Sequence, residues 1–550
     1  MKTKAFVSFA MIVVFFSLSL VILGCGNGDG DSDNASPNAT AAGAGGSIVV
    51  AARKTPDGVD KDFFYNQEDH TIRAACYEKL WNMPMAPDEG GVIVPDYSKI
   101  LTEVEYVIAE SHTISEDGRT LTVKIKRGIK THAGNELTAH DVQYTWDRSW
   151  ALGAVGAFYP KFVLLMDKPN WRVVDDFTWE ITTPNLNAVV VPLMSNNDLP
   201  ILDSKEVKAH ATEDDPWATE WMATHDAGSG PYKIVEFSPG NRVVLEAFED
   251  YWQPGIPYYS EIIYKEVPDG SQRALLVQSG AVDCAENVPF INLDQLQENP
   301  NVKVWSTRGN SVVRLPVTTK AGPTTDVNFR RALQFLVPME DIGETVYHGF
   351  GSPLLSPLPQ DYPMADYTLF QSQYNPDKAR ELLAQVDIPD GFSMTLYYDA
   401  SRNDQREVGN ILKTSFAEVG LQLTPEGVSG ATFYTNAHAS KYDEFLYVHN
   451  TNTPDPGYAL ATFYASEGTF NYAQFKDPRV DELLVEGFAT LDQTEREPIY
   501  RDAQEQILDG ARESYIWNPG WQLVTKPGIG GVAWDPSGAT LFQFMKPVEQ

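Results

Sequence analysis

Short runs of alternating or β-branched residues recur along the chain at 47–50, 121–126, 242–245, 261–267, 302–305, 312–317 and 392–398. A side-chain period of two suits a strand with one buried face, so each run predicts a strand. Between them the period lengthens. Val408, Ile411, Leu412, Phe416 and Val419 fall on one helical face, and Gly420 stands where a helix ends. Thr138 with Asp141 three residues later reads as a helix start close to a capping box, after which Val142, Trp146 and Trp150 repeat every four residues. That spacing makes the tryptophans core residues rather than a ligand platform. Strands and helices alternate, so the predicted class is α/β.

The longest apolar run, residues 5–23, stands at the start, behind Lys2 and Lys4, and ends in Ile22-Leu23-Gly24-Cys25. Positive charge ahead of an apolar stretch is the layout of an export signal. The run is long enough for a spanning helix, but Gly24-Cys25 and the polar, glycine-rich stretch after it resemble the lipobox of bacterial lipoproteins. That resemblance implies a signal peptide over 1–24, lipidation of Cys25 and a tether over 25–46, which is too poor in large apolar residues to bury a core. A membrane contact through lipidated Cys25, on the outer face of the cytoplasmic membrane, follows. The remainder is long enough for two or three cores.

Net charge is −33, a field that repels nucleic acid and anionic lipid, so no nucleic-acid partner is predicted. Cys76 and Cys284 are too far apart in sequence to suggest a disulfide framework and read as buried free thiols, with a single Cys76–Cys284 bridge in an oxidising compartment as the alternative. No Gly-x-Ser-x-Gly, phosphate-cradling or His-Glu-x-x-His sequence occurs, and the nine histidines are scattered. Neither catalytic residues, nor a metal site, nor a cofactor is predicted; an enzyme would have to assemble its site from residues without a local signature.

Residues 115–148 combine a strand, a turn at Gly128, a second turn at Ala133-Gly134-Asn135 and a capped helix, with Leu137-Thr138-Ala139 and Asp141-Val142 in fixed order. Collinear landmarks follow: Gly228-Ser229-Gly230-Pro231-Tyr232, Pro239-Gly240, Val267-Pro268-Asp269, Val327 to Leu333, and Asn375-Pro376-Asp377 ahead of a helix. This order resembles the family 5 extracellular solute-binding proteins, the group of dipeptide, oligopeptide and nickel receptors. The resemblance implies a two-lobed periplasmic-binding-protein fold (type II, cluster C-like) with an extra domain on the first lobe. The expected boundaries are 47–75, 196–268 and 516–550 for the first lobe, 76–195 for the extra domain and 269–515 for the second lobe, with crossings near 267–269 and 515–520.

The same resemblance implies a monomeric receptor that captures a small polar solute, a short peptide foremost, and delivers it to ABC permease and ATPase subunits. Alternatives are a non-peptide solute (a sugar, an opine-like conjugate or a metal chelate) and a secreted lipoprotein hydrolase. In peptide receptors of this family a cleft-lining loop presents an aromatic residue and an aspartate that pairs with the ligand's ammonium group. The matching stretch here is 433–458. It places Phe433 and Tyr434 among the contacts, His449 at the aromatic position, and Asn452 where the aspartate is expected, with Asp455 as the other candidate. An amide in place of a carboxylate forfeits charge assistance, and such hydrogen bonds are roughly twice as strong as neutral ones. Thr55, just past the first strand, is a further candidate. Asn196-Asn197-Asp198 reads as a polar loop after an apolar run.

Overall fold

The computed structural model describes residue 43 and residues 45–370 and 373–548, so Cys25, the expected signal and most of the expected tether lie outside the described residues. Every one of the alternating runs forms a strand. Seven strands build the first sheet, in the order Tyr232–Ser238, Arg242–Ala247, Tyr259–Glu266, Gly45–Ala52, Cys284–Glu286, Trp521–Thr525, Lys303–Thr307. Gly45–Ala52 runs parallel to both of its neighbours, with Ile48 opposite Ile262 and Val50 opposite Cys284. Its apolar residues are nearly continuous because the sheet is covered on both faces: Val50, Ala51 and Ala52 have no exposed surface.

A second body is built on two smaller sheets. Ser352–Pro353, Glu513–Asn518, Ser311–Pro316 and Tyr447–Asn450 pair antiparallel, while Ser393–Asp399 lies parallel between Gln422–Val428 and Glu444–Phe445. The helix Asn403–Ala417 packs here through Val408, Leu412 and Phe416, and Gly420 takes the left-handed conformation (φ 83°) just beyond it. Between residues 109 and 182 an antiparallel four-stranded sheet carries the helix Ala139–Leu152. That helix opens with the capping box of Thr138 and Asp141, and Trp146 lies against Trp171 and Trp179 at ring distances of 5.4 and 5.5 Å.

Among the described residues, 308–310 and 519–520 connect the seven-stranded sheet to the second body. The two links touch. A Cβ on Gly309 would sit 2.8 Å from the Pro519 carbonyl oxygen, and Asn518 Nδ2 donates to the carbonyls of Gly309 (2.9 Å) and Ser311. The first link was expected at 267–269. Instead, Cys284–Glu286 and Lys303–Thr307, both downstream of that point, pair into the seven-stranded sheet, and the chain leaves it only after Thr307. Cys76 and Cys284 are both buried and unpaired.

The turn into Tyr232–Ser238 requires glycine at position 228, because a Cβ there would lie 1.9 Å from the Cys76 carbonyl oxygen. Gly228→Ala should therefore lower unfolding free energy by about 1–3 kcal/mol, the usual cost of overpacking. A denaturant titration checks this; an unchanged midpoint would refute the close approach.

Candidate functional site

The strand Tyr447–Asn450 lies at the edge of its sheet, with His449 opposite Val312 and Tyr447 opposite Arg314. Alternation turns Val448 to the hydrophobic core under the sheet and puts Tyr447 and His449 on the other face. There His449 stacks against Tyr447 (5.1 Å) and lies 3.8 Å, ring to ring, from Phe463. Arg314 donates to His449 Nε2 (3.3 Å), to the Tyr464 hydroxyl (2.5 Å) and to Glu513 (3.2 Å). A guanidinium has no acceptor, so Nε2 must accept and the imidazole proton resides on Nδ1. Burial, reinforced by the Arg314 charge, pushes the imidazole well below its ordinary range and keeps it neutral.

The turn that follows meets the other body. Asn452 Nδ2 donates to Asp198 (3.0 Å), Asn196 Nδ2 donates to the Thr453 hydroxyl (2.7 Å), and Asn450 Nδ2 donates to the Ser537 carbonyl (3.1 Å). Asn310, in the first link, fastens the same turn through the carbonyls of Thr451 (2.8 Å) and Pro536 (2.6 Å). Asp198 is the hub. Its carboxylate also takes His70 (2.8 Å) and Arg73 (2.6 Å) from the helix Gln67–Cys76, and the Tyr159 hydroxyl. Burial alone would raise its pKa, but His70, Arg73 and Tyr159 more than offset that and hold it well below the usual carboxylate range. The polar loop 196–198 is thus a junction between distant parts of the chain.

Two arginines, one from each body, act on Tyr434. Arg53, just past Gly45–Ala52, is held by Glu68 (3.1 Å), and Arg402, just before Asn403–Ala417, by Asp404 (2.8 Å). Burial raises the Tyr434 phenol, while Arg402 and Arg53 both pull it back, so both charges reach this ring. Tyr65, just ahead of the helix Gln67–Cys76, is half exposed. Arg53 and Arg402 carried no local signal in the sequence; each became a candidate only through its effect on Tyr434 in the folded chain.

The expected contacts separate into two groups. His449, Tyr434 and Asn452 lie along the seam, partly buried. Phe433 does not: it is fully buried against Tyr442 and Phe445, because one residue along the helix Gly430–His438 turns it inward while Tyr434 faces out. Thr55 is consumed in construction, its N–H and hydroxyl donating to Glu266 (2.8 and 2.9 Å) and its oxygen accepting from Gly240 N–H (2.8 Å). Asp455 is fully buried, caps the helix Pro456–Tyr464 through the N–H groups of Gly457 and Tyr458, and pairs with Arg496 at 2.9 Å. These three residues serve the scaffold.

Beside Asn197 a pocket lined by Tyr77, Glu78, Lys79, Asp535 and Gln543 holds a second perturbed carboxyl. Burial raises Glu78 to about 7 although the Tyr251 hydroxyl donates to it. Among the described residues no three His, Cys, Asp or Glu side chains gather to hold a metal ion, and no helix is long and apolar enough to cross a membrane.

Two bodies on separate sheets, joined by two touching links and meeting across a polar seam, define a two-lobed binding protein of the periplasmic type. The chain belongs to the bacterial extracellular solute-binding proteins, family 5, whose model matches residues 103–471. It is 26% identical over 414 residues to the glutathione-binding protein GsiB of Pectobacterium atrosepticum, covering 73% of this chain and 77% of that one. In fold it is similar to the periplasmic binding protein DppA of Helicobacter pylori in complex with the peptide STSA (TM-score 0.80, 21% identity, 92% of this chain and 98% of that one). It is similar also to NikA of Brucella suis in complex with Fe(III)-EDTA (TM-score 0.77, 18% identity, 91% of this chain and 100% of that one). Family membership makes the chain an extracytoplasmic solute-binding protein and not an enzyme, which removes the hydrolase alternative.

Two measurements test these roles. Asp455→Asn strips Arg496 of its buried partner, so urea unfolding should show a loss of about 3–5 kcal/mol; a loss under 1 kcal/mol would make Asp455 a candidate solute contact again. Glu78 has a folded pKa raised above its unfolded value, so its contribution is complete below about pH 4 and disappears as pH rises through about 7. Glu78→Gln should flatten that part of the stability profile, read from melting temperatures between pH 4 and 8.

Proposed function

We propose that this chain is the receptor of an ABC importer, anchored through lipidated Cys25 to the outer face of the cytoplasmic membrane, monomeric, and closing its two lobes around a small polar solute of the short-peptide kind. The observation that carries the reading is the seam itself. The turn 450–453, which follows Tyr447 and His449 in the second lobe, bonds across to Asn196 and Asp198 of the first, and Arg53 of the first lobe and Arg402 of the second both act on Tyr434. A solute bound there touches both lobes only when they are closed, so its binding free energy shifts the population toward the closed state, the form a permease and ATPase pair would read. The glutathione-binding and peptide-complexed relatives support a peptide-like solute. A non-peptide solute is the second reading, favoured by Asn452, which presents an amide where a carboxylate is expected.

The assigned boundaries put the first lobe in residues 47–75, 196–307 and 519–548, the extra domain in 76–195, and the second lobe in 308–518.

The decisive measurement is mass spectrometry of small molecules released on denaturing the tether-free body purified from its native host. A set of short peptides is the expected result, and a single non-peptide compound establishes the second reading. An empty protein that also fails to bind solutes from a cell extract would end the receptor reading. Cys25→Ser should move the full-length protein from the membrane to the soluble fraction; retention on the membrane would refute the lipid anchor.

A further inference from the structure

We infer that at the segment 447–458 the solute is recognised through an acceptor oxygen, a carbonyl or carboxylate that takes the Nδ1–H of His449, and that no ammonium group of the solute is paired there. This rests on the solute-receptor reading and specifies the chemistry of that same site.

The carboxylates around this segment are already engaged by donors of the protein. A carboxylate offers about four lone-pair positions, and Asp198 has all of them filled: His70 and Arg73 on Oδ1, Tyr159 and Asn452 on Oδ2. Asp455 has no exposed surface and is held by two helix N–H groups and Arg496. Glu513, almost fully buried, takes Arg314 and the Tyr464 hydroxyl on Oε2, and its charge is balanced by Arg314. Among the described residues, no carboxylate of the segment, or in contact with it through Asn452 or Arg314, stands ready for an incoming cation. Asn452 spends its N–H on Asp198 and retains only a neutral amide oxygen, which lacks the charge assistance an ammonium group would need.

Donors, by contrast, remain unfilled. With Nε2 committed to Arg314, His449 carries its proton on Nδ1, and among the described residues that buried atom has no hydrogen-bond partner. A buried N–H left without an acceptor is costly. An oxygen supplied by the solute relieves that cost only in the bound, closed protein, which is how recognition at His449 contributes to closure. The rings of Tyr447 and Phe463 pack against the imidazole and Arg314 holds its Nε2, so the direction of the Nδ1–H is set before the solute arrives.

The test works on the native solute whether or not its structure has been determined. The molecules released from the native protein are divided, and one half is N-formylated, which removes amine charge with little added bulk. Each half is then offered to wild-type protein freed of ligand by unfolding and refolding, with melting temperature as the readout. The formylated half should raise the melting temperature within about 1 °C of the untreated half. His449→Asn, whose amide can place an N–H near the position of Nδ1, should bind the untreated half within about threefold of wild type, whereas His449→Phe should weaken it at least tenfold. Loss of the shift on formylation, or equal binding by wild type and His449→Phe, overturns the inference while leaving the receptor reading intact. Failure of the untreated half to shift the wild-type protein removes the receptor reading, and this inference with it.

Discussion

A carboxylate withdrawn from water is tolerable only where enough donors replace its hydration, and Asp198 draws its donors from four separate side chains. His70 and Arg73 come from the first helix, Tyr159 from the segment after the capped helix, and Asn452 from the other lobe. The first three make the anion permanent. The fourth depends on how the lobes stand relative to each other, so the same charge that ties the first lobe together also reports its approach to the second. The neighbouring bonds of Asn196 to Thr453 and Asn450 to Ser537 repeat this arrangement with neutral groups, which cost little to separate and re-form in water.

The balance of such a seam matters more than its strength. If the crossing bonds were strong and apolar, the protein would remain shut and hold a solute it could not release. Polar bonds that exchange with water are close to neutral, so the solute's own contacts decide which state prevails. The arginines follow the same logic. Each is oriented by a carboxylate of its own lobe, Glu68 for Arg53 and Asp404 for Arg402, and neither pair bridges the lobes directly.

Much of this was legible in the sequence, and the limits were physical. Every alternating run became a strand, and the capping box at Thr138 and the stop at Gly420 fell where local geometry requires them. The first crossing was misplaced because Cys284–Glu286 is only three residues long, too short for alternation to register, and its place in the sheet depends on partners more than two hundred residues away. The site was less legible still. His449, Tyr434 and Asn452 came from resemblance in the loop 433–458. Phe433 and Tyr434 are adjacent in sequence and opposite in fate, since a helix turns about 100° per residue and burial is decided by the neighbour it meets. Asp455 looked like a site residue for the very reason that makes it structural, since an aspartate before Pro456 is a helix cap. Arg53 and Arg402 belong to a class of residue that no linear pattern singles out, because their meaning lies in a ring, Tyr434, that only the fold brings within their reach.

The position of Trp521–Thr525 also bears on how the molecule is made. This strand is inserted between Cys284–Glu286 and Lys303–Thr307, in the interior of a sheet whose other members come from the first 307 residues. As the polypeptide emerges amino end first, that sheet has a vacant slot with unpaired backbone on both sides until nearly all of the chain has appeared. The second lobe, drawn from the uninterrupted stretch 308–518, has every strand available earlier. The sheet that begins the chain is therefore the last to be completed, and a polypeptide cut short before Trp521 leaves Cys284–Glu286 and Lys303–Thr307 without the strand that joins them.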